Sequence, residues 1–176
     1  LPPVFTGSTL KLFALVFMLI DHIGAVILEH GVIHAYNQQL PTALSYPASL
    51  FCSQIDQILR GTGRLAFPIF CFLLVEGFFH TSNRKKYAFR LFLFALISEI
   101  PFDLAFNSSI LEFSYQNVMF TLFFGLLTIW GMEKSRSIHP LLPLLPAAVG
   151  ILAGWFFQAD YNWRGIVLII ILYVFY

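Results

Sequence analysis

The sequence predicts an all-α, polytopic integral membrane protein. It is read as a helical bundle with at least six transmembrane helices visible, in a single domain over residues 1–176. Three observations predict it. Of 176 residues, 59% are hydrophobic and 18% aromatic, but only 11% are charged; a soluble domain carries about a quarter charged residues. Six apolar segments follow one another, longer and more uniformly apolar than barrel strands, which alternate over about 9–11 residues. Without water to satisfy backbone groups, helices are the other spanning solution.

The first segment, residues 10–28, is close to the roughly 20 residues that cross a bilayer. It contains MLIDHIGAV, which sets Asp21 and His22 inside an otherwise unbroken apolar run. An ionisable group at that depth costs about 2.5–3.5 kcal/mol on insertion scales. Neither has a charged neighbour on its own helix, so both need partners from elsewhere. The second segment, 58–79, is interrupted by Arg60, Arg64 and Glu76. The third, 87–104, carries Arg90, Glu99, Pro101 and Asp103. The fourth, about 115–132, opens on Gln116 and Asn117. The fifth, 141–157, is opened by Pro140, Pro143 and Pro146, and the sixth begins near Trp163. The longest connection is 29–57, and its part 48–58 is expected as a short helix at the interface. An opening on Leu1 rather than methionine, and a stop at Tyr176 inside IVLIIILYVFY, predict a longer natural chain.

The net charge of +1 argues against a nucleic-acid footprint. There is no Gly-rich phosphate loop, CxxC or HExxH. Cys52 and Cys71 read as small apolar packers. His30 and His34 have helical metal-ligand spacing but no third ligand, so no metal is expected. Asn107-Ser108-Ser109 fits the glycosylation pattern, relevant only in a secretory-pathway protein.

Orientation follows from the basic loops. Arg84, Lys85 and Lys86 lie between the second and third segments, and Lys134 and Arg136 between the fourth and fifth. The positive-inside rule puts these loops and the N-terminus in the cytoplasm. At 1.5 Å per residue, Asp21 then lies about 16 Å above Leu10, at or past the midplane of a roughly 30 Å core. Arg60, Arg64, Glu99, Asp103, Gln116 and Asn117 all fall in the outer half.

Each candidate has a structural counterpart. Asp21 and His22 point about 100° apart. Both could be helix–helix glue, although glue does not require a titratable group and His22 is the natural proton acceptor near neutral pH. Arg64 is the expected intramembrane cation, serving either an oxyanion or a salt bridge to Asp21, Glu99 or Asp103. Glu99 and Asp103 share a face at i, i+4 around Pro101, which removes a backbone donor. Asp103 could equally end its helix at the interface. Glu76, with His80 four residues on, could pair with Arg90 or shape a cytoplasmic entrance.

Three blocks carry a resemblance. MLIDHIGAV, then GRLAFPIFCFLLVEGFFHTSNRKKYAFRLFLFALISEIPFDLAF, then QNVMFTLFFGLL resemble the TraX family, over about residues 10–125. Beyond Gly125 the resemblance rests on DYNWRG before the last apolar run. It implies a multi-pass bacterial inner-membrane N-acetyltransferase that takes acetyl groups from cytosolic acetyl-CoA to an acceptor amine such as a pilin N-terminus. It also implies that an intramembrane histidine, here His22, is the catalytic candidate. Acyl transfer needs a base for the acceptor and a cation or N–H groups for the oxyanion. His22 and Arg64 are the candidates, with Asp21 and Glu99 orienting. Glu76, Arg84, Lys85 and Lys86 are expected on the CoA side, and Asp103 and Asn117 on the acceptor side. The expected partners are lipid, acetyl-CoA and the acceptor. The rivals are a proton-coupled transporter using an Asp/His/Glu/Arg relay and a structural assembly subunit.

Overall fold

The computed structural model describes residues 6–39, 45–106 and 115–176. The described residues are helical throughout, apart from turns and one isolated bridge between Gln116 and Ala159. The chain divides into two compact units, Leu1–Phe70 and Cys71–Tyr176.

The first unit begins with α1, Gly7–His22, capped by the Thr6 hydroxyl accepting from the Thr9 N–H. At His22 the helix changes type. Ile23–Ile33 is a π segment, and the four-residue α2, His34–Asn37, completes the run. The His34 N–H donates to the Glu29 carbonyl, five residues back. The helical run therefore continues well past the expected end at Leu28, because nothing in EHGVIHAYN forces a break. The next helix, α3, is Tyr46–Gly63, with Pro47 in its first turn, where a missing N–H is tolerated. The short interfacial helix expected at 48–58 is thus part of an 18-residue helix. α3 lies against both α1 and the π segment.

After a turn at Arg64 and Leu65, α4 runs Ala66–His80. The second unit takes up its later part with α5, Arg84–Phe106, α6, Val118–Arg136, α7, Leu144–Phe156, and α8, Asn162–Phe175. α6 is the central element, touching α5, α7 and α8. It buries Thr121, Leu122, Gly125, Leu126, Thr128, Ile129 and Met132. Small residues set the spacing here: Gly125 receives the Ile169 side chain and Gly150 receives Thr128. This is how helices approach closely where lipid supplies no hydrophobic drive.

Among the described residues, two helical runs are both long and apolar enough to cross a membrane, Gly7–Asn37 and Tyr46–His80. α7 and α8 have 13 and 14 residues, so each is about 20 Å long. α5, at 23 residues, carries a basic first turn and two acids. Length and apolarity together thus pick out fewer spans than apolar runs alone. Large apolar side chains nevertheless face outward on α1, α5, α7 and α8, among them Leu12, Leu19, Phe94, Ile97, Leu152 and Val174. That is the surface expected where lipid is the solvent.

Candidate functional site

In the first unit, Asp21 ends α1 beside the C-terminal turn of α3. A Cβ on Gly63 would overlap the Cα and Cβ of Asp21, so only glycine lets the two backbones approach this closely. Gly24, one turn on, leaves room for the Asp56 and Arg60 side chains. The partner of Asp21 is Arg60, not Arg64. Arg60 Nη1 donates to Asp21 Oδ2 at 2.5 Å, and Arg60 Nε lies 3.5 Å from Glu29 Oε2. Of the partners open to Arg64, Asp21 is thus taken by the arginine one helical turn away: contact at Gly63 brings Arg60 level with Asp21. Arg64 is exposed and makes no ion pair among the described residues.

Arg60 borders a cavity of about 260 Å³ lined also by Glu29, Asp56, Gln57, Gly61 and Arg64. Asp21 Oδ1 and Asp56 Oδ1 are buried oxygens with no hydrogen-bond partner among the described residues. Sequence reasoning missed Glu29 and Asp56. Their signal was the i, i+4 spacing of Asp56 and Arg60, which sets an acid beside the base on one face.

His22 is exposed, and its Nδ1 lies 2.8 Å from the Met18 carbonyl. A carbonyl only accepts, so Nδ1 carries the proton, and the neutral ring has its lone pair on Nε2. The ring sits at the α-to-π junction, and such wide turns recur at functional positions.

In the second unit, Glu99, Asp103 and Asn117 are all buried, Asp103 completely. The Asn117 N–H donates to Glu99 Oε2 at 3.2 Å, and its Nδ2 donates to the same oxygen and to the Ala95 carbonyl at 3.0 Å. Asn117 Oδ1 accepts from the Met119 N–H at 2.9 Å, capping α6. One side chain thus starts α6 and holds Glu99, while Glu99 Oε1 is buried with no hydrogen-bond partner among the described residues. The DYNWRG turn is tied to this end. The Asp160 N–H donates to the Gln116 carbonyl at 2.8 Å, and the Thr121 hydroxyl donates to the Asp160 carbonyl. Tyr161 and Asn162 take left-handed φ of 62° and 49° to make the turn. The Asn107-Ser108-Ser109 pattern lies outside the described residues.

At the other end of this unit, Arg84 Nη2 donates to Glu133 Oε1 at 3.0 Å, and its guanidinium lies 4.2 Å from the Phe78 ring centre. Lys85 and Lys86 are exposed. Arg84 therefore has a structural role beside any part in attracting anions. Glu76 is half-buried, and its carbonyl lies 2.8 Å from His80 Nδ1.

The TraX protein family profile matches residues 6–176. A curated relative, named "Probable fimbrial assembly protein FimC, serogroup H1", from Dichelobacter nodosus, is 34% identical over 145 residues. The match covers 78% of this chain and 50% of that protein, so the chain spans about half the length of the relative. No solved structure matches.

Proposed function

We propose a function from one premise: the chain belongs to the TraX family. It is a multi-pass membrane N-acetyltransferase, with residues 1–176 acting as one acyltransferase-like domain and the N-terminus cytoplasmic in a bacterial inner membrane. It moves an acetyl group from cytosolic acetyl-CoA to an acceptor amine near the outer half of the membrane. The name of the Dichelobacter nodosus relative supports a fimbrial or pilus context, so a pilin-like N-terminus is the acceptor we favour.

The observation that carries this reading is His22. An imidazole stands in an apolar helix, its Nδ1 on the Met18 carbonyl, while the neighbouring Asp21 is neutralised by Arg60. His22 Nε2 takes the proton as the amine attacks the thioester carbonyl. The C–N bond forms, the C–S bond breaks, and the proton goes on to the CoA thiolate. Arg64, with no carboxylate partner among the described residues, is the candidate oxyanion partner. Glu99 is the second orienting acid, and Asp103 and Asn117 stand on the acceptor side. Arg84, Lys85 and Lys86, with Glu76 nearby in sequence, receive CoA.

The test is acetyl transfer from labelled acetyl-CoA into membrane extract, read by mass spectrometry. His22→Ala and His22→Asn should both abolish transfer and leave CoA binding intact, because the loss falls on the transition state. Asparagine keeps a hydrogen-bonding group but is no base at neutral pH. Transfer by His22→Asn at near the normal rate would remove His22 as the base.

A second reading is favoured by the relative's name and by the ion pair itself. The protein would be an assembly subunit whose polar contacts are structural. Such a subunit should not bind CoA.

A further inference from the structure

We propose that the depression beside Trp130 receives the adenosine 3′,5′-bisphosphate end of coenzyme A, with the indole as the surface on which adenine stacks. This rests on the acetyl-CoA reading above. The depression has a volume of about 460 Å³ and is lined by Thr81, Ser82, Asn83, Arg84, Lys85 and Trp130. That is within the 300–1,000 Å³ typical of small-molecule sites.

The lining matches the two halves of such a ligand. Arg84 is held in place by Glu133 and by the Phe78 ring. Glu133 offsets one positive charge, and Lys85 supplies a second that no ion pair among the described residues takes up. The wall therefore keeps a positive excess for phosphates. Thr81 and Ser82 bring hydroxyls. Asn83 is not counted as a ligand donor, because its side chain caps the Lys86 N–H at 2.9 Å. Trp130 is half-buried, and Lys134 Nζ lies 4.9 Å from its ring centre, so the indole already serves as a π surface for a cation. Orientation in the membrane accounts for Arg84, Lys85 and Lys86, and an indole is at home at a membrane interface; set beside the depression with these cations, it also offers a face to a purine ring.

The experiment uses the full-length protein in detergent, titrated calorimetrically with 3′,5′-ADP, which has the nucleotide end of CoA but neither thiol nor acyl group. Wild-type protein should bind 3′,5′-ADP, and CoA should compete with it. Trp130→Leu should weaken binding about fivefold or more, since stacking on an aromatic ring contributes at least that much per base. Trp130→Phe should retain most of the affinity, and Lys85→Gln should weaken it and flatten its salt dependence. Circular dichroism of each variant checks folding; should Trp130→Leu unfold, Trp130→Phe and Lys85→Gln carry the comparison. Equal 3′,5′-ADP affinity in wild type, Trp130→Leu and Lys85→Gln overturns the proposal. So does binding of inorganic phosphate, or of phosphatidylglycerol vesicles, as tight as that of 3′,5′-ADP. Acetyl transfer with an unchanged KM for acetyl-CoA in Trp130→Leu sinks this site and leaves the acetyltransferase reading standing. Trp130-dependent 3′,5′-ADP binding with no acetyl transfer does the reverse.

Discussion

Asp21 and Arg60 are each about a quarter exposed at the side chain, so their pair is neither a surface bridge of little consequence nor a dry one. Asp21→Asn and Arg60→Gln should each lower stability in detergent by about 1–3 kcal/mol, since each leaves a partly buried partner uncompensated. The double variant should lose less than the sum, by at least about 0.5 kcal/mol. The same cycle with Arg64→Gln should be additive. Thermal unfolding of the four proteins in each cycle decides it. The need of Asp21 for an arginine was legible in the sequence, because an acid in an apolar run has few other ways to be satisfied. Which arginine was not. Arg60 lies in the last turn of α3 and Arg64 caps its end four residues on, and the choice depends on the depth at which α3 meets α1. A glycine contact sets that depth, and no charge pattern reveals it. The Glu99–Asn117 link was hidden for a similar reason. The sequence placed both residues at one end of the membrane, but not the Asn117 cap that joins them.

At the scale of elements, the Gly61-Thr62-Gly63 stretch is the end of α3, and its two glycines differ. A Cβ on Gly61 meets nothing within 4 Å, whereas one on Gly63 runs into the α1 backbone. Gly63→Ala should therefore cost about 1–3 kcal/mol through overpacking. Gly61→Ala should be neutral, or stabilising by up to about 1 kcal/mol as the helix gains a better former. Equal melting temperatures for the two variants would remove the close approach of α1 and α3. Asn117→Ala should cost about 1–3 kcal/mol, since it removes both the cap of α6 and a donor to buried Glu99. Asn117→Ser, which can still cap, should recover only part. The apolar segments gave element positions to within a few residues in the second unit: α8 starts at Asn162 where Trp163 was expected, and α7 ends at Phe156 where Phe157 was. They failed across 29–57. Tyr46–Gly63 mixes Gln54, Asp56, Gln57 and Arg60 with apolar residues, and this composition fits a loop or an interfacial helix equally well. The π segment adds a second difficulty, because face assignments at 3.6 residues per turn no longer hold beyond His22.

For the whole molecule, composition made the all-helical class legible, because chains this apolar have few ways to satisfy their backbones in lipid. The number of crossings was less legible. Apolar length counts six segments, while helix length and apolarity together mark two among the described residues. Orientation is open to direct test. In a background lacking Cys52 and Cys71, single cysteines at Ser82 and Ser135 should stay unlabelled by an impermeant maleimide in intact cells and react after permeabilisation. Labelling of Ser135→Cys in intact cells would reverse the proposed sidedness and the position of the CoA depression with it.

The Asp21–Arg60 pair also has an electrical consequence. A membrane held at 100 mV acts on each elementary charge within it with about 2.3 kcal/mol for full passage. Paired, Asp21 and Arg60 sum to zero, so the field has little purchase at the depth of Asp21, while Glu29 further along the run shares the same guanidinium. Arg60→Gln uncovers one negative charge at the same depth. In a chain that spans the membrane as proposed, that helix becomes a voltage-sensitive element, driven toward the positive face by a share of that energy set by its depth. Its insertion efficiency in energised vesicles should then change when an ionophore collapses the potential, whereas the wild-type chain should insert equally well with or without it.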